Sequence, residues 1–149
     1  MKRNTQWGVL LAGLTLFAAG GAWAGDEADV TSLYEVRTEG SSSKVKAGEK
    51  GTFVLAIKTK GGAHISEEAP LKIEVSGDKV KPEKAKLSRT DSVGKKEAGQ
   101  TYADPRFEVP FVAEANGKGA VNAKLTFFVC TDKICSRQQK AVSVPVEVQ

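Results

Sequence analysis

What this chain has least of narrows its chemistry. Its 149 residues hold one histidine, two cysteines, one methionine and two tryptophans. With His64 alone, a hydrolase built on nucleophile, base and orienting group has little scope. No phosphate-cradling glycine loop and no paired catalytic carboxylates stand out. The lysines are spread along the chain, and no basic stripe with interleaved aromatics forms, so nucleic acid is not an expected partner. No cofactor and no small-molecule ligand is indicated. Outside the N-terminal stretch no segment carries an apolar stripe of 3.6-residue period, which points away from helices.

The N-terminus reads as a secretory leader. Lys2 and Arg3 form a positive start, Val9 to Ala19 is an uncharged apolar run, and Ala22-Trp23-Ala24 is a small-x-small cleavage signal. The expected cut lies before Gly25, making residues 1–24 a signal peptide. The apolar run is short for a membrane span. No cysteine lies near the cut, so a lipid anchor is not expected, and the location read from the sequence is periplasmic or secreted. The remaining 125 residues suffice for one domain with a core. Without Lys2 and Arg3 the net charge falls from +4 to +2.

What is present is alternation of period two, the mark of strands with one buried face. It runs through Thr52–Thr59, Leu71–Ser76, Arg106–Glu114, Ala120–Cys130 and Val142–Val148. Val80–Leu87 is a poorer, lysine-rich candidate interrupted by Pro82. Val30–Val36 gives a weak signal for a first edge strand, and Val45 for a short one. Turn residues separate these runs at Lys60-Gly61-Gly62, Ser76-Gly77-Asp78 and Asn116-Gly117-Lys118-Gly119. The expected fold is an all-β, immunoglobulin-like antiparallel sandwich over residues 44–149, preceded by a polar segment over 25–43. Pro110 and Pro145 each remove a ladder donor, which places their strands at edges or bulges. Residues 88–104 show no periodicity and form a long connection of the kind that is often functional.

The two cysteines frame the turn of the last hairpin, in Cys130-Thr131-Asp132-Lys133-Ile134-Cys135. Parity puts Val121 to Val129 on the core face and Cys130 on the other. Val142 to Val148 face the core at even positions, so Cys135 also points away from it. A four-residue loop places the two opposite one another, close enough for a disulfide in an oxidising compartment. As a staple, a bridge across so short a loop contributes on the order of 2 kcal/mol. It does not cross the core between sheets as the immunoglobulin bridge does. A short-loop, accessible pair suits thiol–disulfide exchange, so residues alone leave staple and redox couple both open. A zinc site would need ligands beyond the two thiolates, with His64 and scattered carboxylates the only help. A lone histidine in a glycine-rich loop is more often a surface or packing residue.

Residues 45–148 resemble the N-terminal periplasmic domain of DsbD-type thiol:disulfide interchange proteins. The likeness is carried by Phe107-Glu108-Val109-Pro110-Phe111, by Leu125-Thr126-Phe127-Phe128-Val129-Cys130 with Asp132 and Cys135, by the valine-rich last run, and by Gly62-Ala63-His64-Ile65 with Pro70. The resemblance implies an immunoglobulin-like fold whose Cys130 and Cys135 exchange electrons, with Cys135 preferred as the attacking residue. It implies exported thioredoxin-like or disulfide-isomerase partners and a separate membrane electron donor. Family members carry an acidic cap loop with an aromatic that shields the disulfide. The matching stretch here, Asp91-Ser92-Val93-Gly94-Lys95-Lys96, has no aromatic, and Tyr102 is the nearest substitute. Ser136-Arg137-Gln138-Gln139 replaces the proline-rich stretch that often follows the second cysteine. The alternative reading is an exported immunoglobulin-like binding or assembly module with a structural hairpin bridge.

Overall fold

Alternating side chains leave each strand one apolar face, and two sheets bury those faces against each other. The computed structural model describes residues 29–149, and the expected signal peptide lies outside them. Ten strands form in chain order: β1 (Tyr34–Arg37), β2 (Lys44–Val45), β3 (Lys50–Thr59), β4 (His64–Ile65), β5 (Lys72–Asp78), β6 (Val80–Pro82), β7 (Lys86–Ser88), β8 (Arg106–Ala113), β9 (Gly117–Cys130) and β10 (Cys135–Val148). Short 3-10 turns cover Val30–Leu33 and Arg89–Asp91. One sheet has the order β1-β3-β8-β6. The other has the order β2-β10-β9-β5-β7, with β4 beside the last residues of β9. All pairs are antiparallel except β2 with β10. The chain is therefore an all-β, immunoglobulin-like sandwich, as its alternation predicts.

The core lies between the sheets. Phe53, Leu55 and Ile57 of β3 and Phe107, Val109 and Phe111 of β8 meet Ile73 and Val75 of β5 and Val121 to Val129 of β9, all buried. Each such side chain withdrawn from water contributes about 1.5–3 kcal/mol before entropy is counted. Tyr34 closes one side, its ring edge-on to Phe127 at 5.1 Å and its hydroxyl donating to Gln138 at 3.0 Å.

Three expectations change. The segment expected to be polar and separate, 25–43, supplies β1, and Val30 and Tyr34 are core residues. The domain thus extends at least to Val30, because β1 is needed to cover the edge of β3. The candidate strand Val80–Leu87 is two strands in two sheets: β6 pairs with β8 and β7 with β5. A chain crossing between sheets must break its alternation, and Pro82 ends the first piece. The turn expected at Ser76-Gly77-Asp78 lies one step later. β5 continues to Asp78, and the reversal falls on Lys79, at φ +58°. Gly77 serves close approach there, since a Cβ would meet the Val80 carbonyl oxygen.

Pro145 stands at an edge as expected, whereas Pro110 lies on an inner strand. Pro145 lies on β10 just before its pairing with β2 at Glu147 begins, so its missing donor faces an open edge. Pro110 is on β8, which has β3 on one side and short β6 on the other. It sits where β6 runs out, at Pro82 opposite Phe111. Replacing Phe127 with alanine opens a cavity under Tyr34 and is expected to cost about 3–5 kcal/mol, read from urea unfolding. A loss below about 1 kcal/mol would contradict this account of the core.

Candidate functional site

The hairpin that carries the cysteines is fixed by its register and by one threonine. β9 and β10 pair over fourteen consecutive residues, from Gly117 with Val148 to Cys130 with Cys135. Thr131 shapes the turn. Its amide donates to the Ile134 carbonyl at 2.7 Å, and its hydroxyl oxygen accepts from the amides of Lys133 and Ile134, each at 3.2 Å. Cys130 and Cys135 are directly opposed, 4.0 Å apart at Cα, and joined by a disulfide.

The two halves of the bridge sit in unequal surroundings. Cys130 is 3% exposed, whereas Cys135 is exposed. Parity gives the correct face for both, since their neighbours Val129 and Ser136 take the core side. It does not give accessibility, which depends on flanking strands. Cys130 lies on an inner strand, with β10 on one side and β4 on the other. Cys135 lies at the sheet edge. The amides of Glu147 and Gln149 donate outward to Ser43 and Val45, so odd residues of β10 turn their backbone groups away from β9. From Cys135 to Ser143 that outward row meets no strand among the described residues.

His64 completes a row across the sheet. It pairs with Cys130 from the side opposite Cys135, and directly paired residues share a face. The loop after the second 3-10 turn reaches the same place. The Tyr102 ring stacks on the His64 imidazole, centroids 4.0 Å apart and planes 12° from parallel. The loop is tied at both ends. Ser92 Oγ accepts from the Arg106 amide at 3.1 Å. Buried Asp104 accepts from the Thr59 hydroxyl at 2.7 Å, the Thr59 amide at 3.3 Å and the Gln100 side-chain amide at 3.4 Å.

Asp91 takes a different role from the one the resemblance suggests. Its carboxylate caps the 3-10 turn, accepting from the Ser88 amide at 2.9 Å, and pairs with Lys84. The Lys84 hydrogen bond first, and the Ser88 amide second, hold its carboxyl below the usual aspartate range. The aromatic of the site is Tyr102, eleven residues further on. His64, read from the sequence as a surface or packing residue, packs on Tyr102 and is also a strand residue in register with a cysteine. β4 has only two residues, too few for alternation to reveal. Asp132, Lys133 and Arg137 are exposed around the bridge. Among the described residues no group of three or more His, Cys, Asp or Glu could hold a metal ion. No helix among them is long and apolar enough to cross a membrane.

Fold and site together define an immunoglobulin-like sandwich with a half-exposed disulfide at the tip of its last hairpin. No family model and no curated protein matches the chain. Among solved structures it is similar to domains 4 and 5 of the S-layer protein SbsC, at 14% identity and TM-score 0.43, over 78% of this chain and 51% of that one. The chain thus spans about half of that S-layer fragment. It is also similar to a conjugative transposon lipoprotein from Bacteroides eggerthii, at 11% identity and TM-score 0.35, over 73% of this chain and 95% of that one. A third likeness is a conjugate transposon protein from Bacteroides vulgatus, at 13% identity and TM-score 0.39, over 77% and 84%. Likeness this distant carries nothing about function.

Replacing Asp104 with alanine leaves the Thr59 hydroxyl and Gln100 amide without their acceptor. The expected loss is about 1–3 kcal/mol, with faster tryptic cleavage at Lys95 and Lys96. Unchanged cleavage would show that Asp104 does not hold the loop.

Proposed function

We propose that this chain is an exported thiol:disulfide exchange protein that passes electrons through Cys130 and Cys135 to or from other exported proteins. The observation that carries the reading is the asymmetry of the pair. One sulfur-bearing residue is open to a partner at a sheet edge, and the other is buried behind it. Exchange needs both: an accessible sulfur for attack and a second held beside it to close the bond again. The staple role has less to recommend it. Thr131 already closes the turn with hydrogen bonds, and a bridge over so few residues adds on the order of 2 kcal/mol.

The chemistry follows from that asymmetry. A partner thiolate attacks Cys135 Sγ and forms a mixed disulfide, while the electron pair of the broken bond goes to Cys130 Sγ. The partner's second thiol then attacks its own sulfur in the mixed disulfide and releases Cys135. The partner leaves oxidised and this pair stays reduced with two electrons; the reverse sequence delivers them. The resemblance to the DsbD N-terminal domain supports thioredoxin-like or disulfide-isomerase partners in the periplasm. The leader read at residues 1–24 supports export.

A second reading, an immunoglobulin-like binding or assembly module with a structural bridge, has the burial of Cys130 on its side. Single-cysteine variants separate the two. Cys130→Ser leaves Cys135 free and is expected to trap a thioredoxin-like protein as a mixed disulfide. Cys135→Ser should trap far less, and each variant should lose no more than about 2 kcal/mol of stability. Unfolding of Cys130→Ser, or equal absence of trapped partner from both variants, would favour the structural module.

A further inference from the structure

Opening the bridge places a new charge on a buried residue. When a partner takes Cys135, the departing electron pair makes a thiolate of Cys130, a residue 3% exposed. A buried anion is costly unless a cation or a proton meets it. The charged groups facing this end of the sheet are few. Arg137 lies two positions along the same face of β10, and Asp132 and Lys133 lie in the turn. Glu67 and Glu68 follow β4, and these five are exposed, so water screens their pull on the sulfur; half-buried Arg89 is committed to the Ser66 carbonyl, two residues past His64.

One group differs. His64 is half-buried, sits directly across from Cys130 on the shared face, and is held in its orientation by the stacked Tyr102 ring. Resting on the exchange reading above, we infer that His64 is the residue that meets the Cys130 thiolate, its imidazole taking up a proton from solvent as the thiolate forms and holding it against the sulfur. No electron moves through the ring, since the sulfur–sulfur pair passes to Cys130 and the partner's pair forms the new bond to Cys135. Tyr102 acts through His64 as a positioning residue. The arrangement also assigns unequal duties to the thiols, with Cys135 exchanging and Cys130 kept as a stabilised leaving group.

His64 is the only histidine, so a chain without a histidine tag gives a single imidazole in a proton NMR titration. The titration is made on the disulfide form and again after reduction by a phosphine. A thiolate beside the ring should raise the His64 midpoint by about one unit on reduction. An unchanged midpoint would overturn the inference. The reciprocal measurement follows Cys130 thiolate absorbance in Cys135→Ser, with His64 intact or replaced. His64→Gln should reduce the thiolate at neutral pH about tenfold, and Arg137→Gln should reduce it less. An equal or larger effect of Arg137→Gln would assign the role to the surface charge instead. Neither measurement uses a partner or a redox couple. Failure of the exchange reading shows separately, as the absence of trapped protein.

Discussion

The pairing of β9 with β10 is the constraint on which the rest depends. Its register runs unbroken for fourteen residues. Because side chains alternate, a slip of one residue would turn Val121 to Val129 out of the core and bring their polar neighbours in. The same register sets Cys130 against Cys135, so core and bridge are specified by one ladder. β9 is also the strand to which β5 and β4 attach in succession, which builds the larger sheet around it. The position of the bridge thus follows from the same hairpin register that places the core.

An edge strand as long as β10 invites pairing with other chains, and this one carries partial protection. β2 covers its last residues, and Pro145 interrupts the outward donors. Ser136, Gln138 and Lys140 occupy positions that would face the core, where Val142 to Val148 are apolar. Lys140 lies over the Tyr34 ring at 5.7 Å and remains exposed. An inward-side charge of this kind discourages edge-to-edge pairing with another chain. The half of β10 nearest Cys135 is thus the polar half.

Much of this was legible in the residues because strands with one wet face must alternate. The core faces of β3, β5, β8, β9 and β10, and the face on which each cysteine lies, follow from parity alone. Strands of two or three residues hold no periodicity, so β4 was hidden, and β6 and β7 merged into one candidate that concealed the switch between sheets after Pro82. Accessibility was hidden for a different reason. It depends on which strands lie on either side, and β4 comes to Cys130 from more than sixty residues away in sequence. Tyr102 was visible only as the nearest aromatic to a loop without one. Its stacking on His64 depends on how Ser92 and Asp104 tie the loop down.

On the proposed reading the site is a small redox device: an exposed cysteine at an edge, a buried one behind it, and an imidazole on the far side. The claim at its centre is that the bridge is made to open. Equilibrating the purified domain with glutathione and thioredoxin couples gives the reduction potential of the Cys130–Cys135 pair. The account predicts a value of roughly −180 to −270 mV, the range of exchange proteins. A value below roughly −300 mV would mark the bridge as structural and contradict it.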